Sequence, residues 1–392
     1  MADVETTITS HDLMQRLVQP PRLNKDSDSD TQSQWLEVFF DLIFGVAITQ
    51  LAGLINHTIV LGDVLLFSAV LLPFWWMWMG NVVYGLRFSM DNLLYRFATF
   101  LQILTVAAMI VLIPDVARSA SPGFAVAYII GRGILLALYA ITWRMETKTR
   151  PATQIYLVGF GLGAAVWSVS LFFAPPIRIG LWGVGLLIDL LTPWIGRPTL
   201  SRFPVDSARL PQRMGLFVTI VLGQSVFAIV EGAAHVHWQM FAILTAVGVF
   251  SITVAIWWSY FSYYELAHPT SRLGSGQPYI YTHLPLILGV ALVSAAMPRV
   301  IEEGQRGAPS TDVLWLLLGG LALWVVGFWA IQWVSVPPEQ RGLIHRVSLS
   351  SLAVFATLGV IGRFIPIIVT IAIVVAGQSA IIIIKLRSQQ QT

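Results

Sequence analysis

Cysteine is absent from all 392 residues, which excludes disulfides, thiolate metal sites and a cysteine nucleophile. Charge is scarce as well: Asp, Glu, Lys and Arg together make up 11% of the chain, against about a quarter in a soluble domain. That leaves too little polar surface to face water on every side. No phosphate-binding loop, HExxH zinc helix or nucleophile elbow occurs, so the expectation is a protein that is not an enzyme and holds no cofactor or metal. His235 and His237 share one loop and could take a metal ion, but two ligands alone make a weak site.

What is present is apolar. Hydrophobic residues form 56% of the chain, and the mean hydropathy is +0.74. A helix needs about 20 mostly apolar residues to cross a hydrocarbon core, where only a helix or a closed barrel satisfies its own backbone. Barrel strands alternate over about ten residues; the run from Ile365 to Lys385 does not alternate. The fold class is therefore all-α and polytopic. Twelve spans are expected near 35–55, 62–86, 93–113, 123–143, 154–173, 178–195, 212–231, 239–264, 279–298, 312–333, 344–362 and 364–385, with the last two open to a re-entrant pair.

Basic residues orient this map. With the N-terminus inside, 17 of the 23 Lys and Arg fall on the cytoplasmic side and 5 on the other, and Arg132 stays within a span. Both termini are expected inside. The net charge of +3 is spread over loops, which reads as topology and not as nucleic-acid affinity. Residues 1–34 are polar, contain Asp26-Ser27-Asp28-Ser29-Asp30 and have no apolar h-region, so they read as a disordered cytoplasmic tail and not a cleaved signal peptide.

Two halves of the chain echo each other. Asp41 pairs with Thr219, Trp75-Trp76 with Trp257-Trp258, and Tyr95 with Tyr281, at offsets of 178, 182 and 186 residues. The organisation expected is a tail (1–34), a six-helix repeat (35–195), a cytoplasmic linker (196–211), a second six-helix repeat (212–386) and a short tail (387–392). Six spans per repeat is even, so the two repeats would be parallel.

Three segments carry a family resemblance. Glu37-x-Phe39-Phe40-Asp41-Leu42-Ile43-Phe44 runs into Ala47-Ile48-Thr49-Gln50-Leu51; Arg213-x-Gly215-Leu216-Phe217 is followed by Val221-Leu222-Gly223-Gln224-Ser225; the third is Tyr281-x-His283-Leu284-Pro285-Leu286. Together they resemble the bacterial low temperature requirement A (LtrA) family. The resemblance implies residence in the bacterial cytoplasmic membrane and a connection with growth in the cold. Gln212 and Gln224 stand where that pattern usually has glutamate, which tells against carrying over a proton-linked role. More distantly, Trp35-x-x-x-Phe39-Phe40-Asp41 and Arg213-x-x-x-Phe217-Val218-Thr219 are similar to the R-x-x-x-F-S-D opening of six-helix-repeat potassium channels of bacteria and endolysosomes. That resemblance implies a pore lined by the first helix of each repeat. It also implies four repeats, so that a twelve-span chain would form a homodimer.

Charge inside a membrane costs about 2.5–3.5 kcal/mol on insertion scales, so each case needs a partner or a purpose. Glu37 and Asp41 share one face of the first span. They could form a proton or cation site, an ion-pair latch with Arg213 or Arg96, or a structural polar network. Arg132 and Asp189 lie deep in the fourth and sixth spans; a buried pair accounts for both, with an anion or substrate site as the alternative. His283, among tyrosines, reads as a satisfied hydrogen-bonding residue or a group that titrates near neutral pH.

A pore face would collect Leu42, Val46, Thr49 and Gly53 on the first span, and Ile220, Gln224, Phe227 and Glu231 on the seventh. Ordinary helix packing uses the same residue types. Trp75, Trp76, Trp78, Trp257 and Trp258 read as packing or interfacial anchors. The functional expectations are a cation-conducting or cation-coupled transport protein in the lipid bilayer, a secondary transporter of a small or lipid-like solute, or a non-transporting scaffold or membrane enzyme.

Overall fold

The computed structural model describes residues 31–55, 59–88, 93–234, 236, 240–267, 276–304, 309–336, 338 and 341–389. Most of the expected N-terminal tail lies outside these residues, as do His235 and His237. The described residues form helices and no strand: α1 (Thr31–Ala52), α2 (Leu61–Arg87), α3 (Leu93–Val111), α4 (Ile113–Ser119), α5 (Pro122–Met145), α6 (Arg150–Ser170), α7 (Ile177–Ile195) and α8 (Arg197–Leu200), then α9 (Arg209–Ala234), α10 (Met240–Ala267), α11 (Gln277–Gly304), α12 (Thr311–Ser335), α13 (Arg341–Ile361) and α14 (Ile367–Gln389). Among the described residues, eleven helices are long and apolar enough to cross a membrane, and α14 contributes a shorter apolar stretch, Ile367–Ser379. The protein is an all-α, multi-pass membrane protein.

Local chemistry sets the helix starts. Pro122 and Pro151 stand in the first turns of α5 and α6, where a missing N–H costs nothing because that position has no intrahelical acceptor. The Glu146 side chain accepts from the Lys148 backbone N–H at 3.1 Å and holds the turn between those two helices. The short helices α4 and α8 are additions that a hydropathy reading of spans passes over.

The chain divides into two compact units. One comprises the described residues through Phe44 together with Trp76–Asp206; the other comprises Gly45–Trp75 and the described residues from Ser207 onward. Helices α1 and α2 each give residues to both.

Within the first unit α6 packs along α7, α5 along α6 and α3 along α5. The α6–α7 seam is narrow because glycine faces glycine: a Cβ on Gly185 would stand 3.0 Å from the Gly163 carbonyl. Within the second unit the most extensive packing joins α11 and α12. A Cβ on Gly320 would lie 2.9 Å from the Val293 backbone nitrogen, so glycine is what lets these backbones approach. Helix α11 is the most enclosed of the spans, with 72% of its apolar window buried, against 28% for the window beginning at Arg341.

Candidate functional site

A cavity of about 480 Å³ with a mixed polar and apolar lining opens in the second unit. Three segments build it: the end of α1 from Ile48 to Ile55, the second half of α9 from Gln224 to Glu231, and α11 from Ala291 to Glu302. Thr49, Gly53, Gln224, Phe227 and Glu231, assigned to a pore face from their spacing, all line it. Thr49 donates its hydroxyl proton to the Gln224 side-chain oxygen. The Gln224 amide nitrogen also lies where a Cβ on Gly45 would come within 2.8 Å, and Ile220 lies 3.1 Å from the same point. Glycine at 45 therefore makes room for the glutamine.

The remaining members of that face lie elsewhere. Val46 is 56% and Leu42 52% exposed, and neither lines the cavity; Leu42 belongs to the first unit.

The third wall was not legible from the sequence. Ser294, Arg299 and Glu302 on α11 line the cavity with Glu231. Arg299 donates to the Ile55 carbonyl at 2.5 Å and to the Ala295 carbonyl at 3.4 Å. This guanidinium thereby ties the end of α1 to α11. Pro298 has no N–H to offer the Ser294 carbonyl one turn earlier, while the Ser294 hydroxyl pairs with Ser225 at 2.6 Å. The cavity thus presents hydroxyl, amide and carboxylate oxygens, with two acids and one base among its charged lining residues. Pro298 inside an apolar run was the available signal.

The first unit holds a different polar centre. Arg132 on α5 donates to Asp189 on α7 at 2.6 Å, and Tyr128 donates to the same carboxylate oxygen at 3.0 Å. Both charged side chains are fully buried. The guanidinium carbon lies 4.3 Å from the centre of the Phe160 ring, and Tyr128 packs 4.2 Å from Trp167, which stacks on Trp182. Glycines leave the room: a Cβ on Gly80 would stand 3.0 Å from Arg132 Nη1, and one on Gly163 would strike the Asp189 carboxylate. One further charge is buried here that spacing had placed in a loop. Arg87, at the end of α2, is 2% exposed, donates to the Tyr156 hydroxyl and lies over that ring.

Asp41 is fully buried and accepts from Trp78 Nε1 at 2.7 Å, so an aromatic N–H is among its partners. Glu37 is also buried and Arg96 half-buried in the same unit, while Arg213 is buried in the other. His283 is buried with both ring nitrogens engaged, Nδ1 with the Tyr279 carbonyl at 2.7 Å and Nε2 with the Tyr260 hydroxyl at 3.0 Å. A carbonyl can only accept, so the proton sits on Nδ1 and Nε2 accepts from the tyrosine.

The sequence profile of a family described as Bacterial low temperature requirement A protein (LtrA) matches residues 32–382. The chain belongs to that family. Relatives include an uncharacterized protein of Rhizobium meliloti (strain 1021), 26% identical over 356 residues, covering 83% of each chain. No solved structure matches. The family match spans both the helices of the α1–α9–α11 cavity and those of the Arg132–Asp189 pair.

Proposed function

We propose that this LtrA protein is a transport protein of the bacterial cytoplasmic membrane, with both termini inside, and that it conducts or couples to a small cation through the α1–α9–α11 cavity. The observation that carries the reading is the convergence of Thr49, Gln224 and Glu231 on one cavity of about 480 Å³. With the termini inside, α9 and α11 run outward, so Glu231 and Glu302 stand at the outer mouth. Carboxylates there concentrate cations from solution. Deeper in, the Thr49–Gln224 pair supplies oxygen in place of lost hydration water. An amide at position 224 does not titrate, so the step at the floor is dehydration and not proton exchange.

A solute transporter centred on Arg132 and Asp189 is the second reading. It fits the observations less well, because both side chains are fully buried against an aromatic stack. The test is uptake of potassium, sodium or protons by proteoliposomes containing the purified protein, each gradient imposed separately. The reading requires flux of at least one cation that Gln224→Ala changes in size or selectivity. Absence of flux from folded protein overturns it.

A further inference from the structure

An open groove of about 700 Å³ runs between α6 and α7 in the first unit. Its walls are aliphatic: Ile155, Val158 and Leu162 on one helix, Ile188, Leu191 and Ile195 on the other. Gly159 keeps the groove shallow-walled, since the Thr192 side chain already occupies the space that a Cβ there would need. From Pro151 to Leu162 it extends about 16 Å along α6 at 1.5 Å per residue, roughly half the thickness of a hydrocarbon core.

One end of the groove is marked as a membrane interface. Trp143, at the end of α5, and Trp194, next in sequence to the groove residue Ile195, are 38% and 39% exposed, as tryptophans at headgroup depth are. Each has an arginine across its ring face: Arg150 at 5.2 Å from Trp143, and Arg197 at 5.7 Å from Trp194; Arg150 also donates Nε to the Trp143 carbonyl at 2.9 Å, which leaves its two terminal nitrogens for a ligand. Arg150 directly precedes the groove residue Pro151, and Arg197 lies between the groove residues Gly196 and Thr199. Both arginines are exposed. The segments 144–151 and 196–206 carry Arg144, Lys148, Arg150, Arg197 and Arg202 against Glu146 and Asp206, so this rim is positive.

We infer that the groove binds an anionic phospholipid, with one acyl chain lying between α6 and α7 across a single leaflet and the phosphate held at Arg150 and Arg197. Basic rims between membrane helices recognise acidic headgroups in this way, and the aliphatic walls supply the chain contact that a free anion lacks. Fixing a lipid along this seam would brace two helices that already meet closely at Gly163 and Gly185.

The test is native mass spectrometry of the full chain from micelles doped with phosphatidylglycerol or phosphatidylcholine. Expected is at least tenfold preferential retention of phosphatidylglycerol, lost in Arg150→Gln/Arg197→Gln and in Arg197→Gln alone. Val158→Trp, at a position 56% exposed and so tolerant of bulk, should lower retention of both lipids by filling the groove. Equal retention of the two lipids by the native protein overturns the inference, as does retention that none of the three variants alters. Displacement by inorganic phosphate would make the rim a simple anion site, and dimers split by Val158→Trp without lipid preference would make the groove a contact between copies; either also overturns it.

Discussion

The two polar centres of this protein use similar residue types under opposite conditions. In the first unit Arg132 and Asp189 are sealed in a shell of Tyr128, Phe160 and Trp167, with glycines at 80 and 163 leaving only the volume the pair needs. In the second unit Thr49, Gln224, Glu231 and Glu302 line open space. A charge pair enclosed by rings has two stable partners and nothing to exchange with. A carboxylate beside a cavity keeps its field directed at whatever enters. Burial and room separate an enclosed charge pair from charges that face a cavity here, and charge alone does not.

The comparison breaks most readily at the enclosed pair. Removing one member of a buried pair strands the other charge and costs about 3–5 kcal/mol, whereas replacing both with apolar side chains is often near neutral. Arg132→Met should therefore abolish most folded yield, and Arg132→Met/Asp189→Leu should restore it, as read by thermal melting in detergent. Recovery of cation flux by the double variant would then separate the pair from the proposed cation path. Gly80→Ala overpacks the Arg132 site by about 1–3 kcal/mol, visible as a lowered melting temperature with unchanged ion selectivity. Asp41→Asn leaves an oxygen that can still accept from the Trp78 N–H, so the loss is about 1 kcal/mol, the difference between a carboxylate and an amide acceptor; yield should fall while flux per folded molecule holds. Normal yield with lost flux would move Asp41 into the transport path. At the small end, Glu231→Gln should leave melting unchanged and slow cation entry a few-fold at low salt. That difference should shrink as salt screens the mouth.

Much of this was legible in the sequence, and the gaps have physical causes. The all-helical class follows from runs too apolar for water, but the count does not: twelve spans were expected, whereas eleven helices among the described residues are long and apolar enough, Ile367–Ser379 is shorter, and α4 and α8 are additional. The Arg132–Asp189 pairing was readable because an unpaired charge in hydrocarbon is untenable. Thr49, Gln224 and Glu231 were readable because helical spacing puts them on one face of each span. Arg87 was hidden because an arginine at a helix end reads as a topogenic loop charge, although here it is buried over the Tyr156 ring. Trp78 was hidden as the partner of Asp41 because an indole in a hydrophobic run registers as packing. The α11 wall was hidden for a related reason: Arg299 and Glu302 look like flanks of a span until the helix is seen to continue to Gly304. The assignment of α1 and α2 residues to two units leaves no mark in hydropathy, which records depth and not neighbours.

The central claim is that the α1–α9–α11 cavity is a cation path, and flux into proteoliposomes under separate potassium, sodium and proton gradients tests it most directly. The account predicts cation-selective uptake by the native protein, with the selectivity changed by Gln224→Ala while the melting temperature stays close to native. Uptake that is absent under every gradient, or present and indifferent to Gln224→Ala, would contradict it.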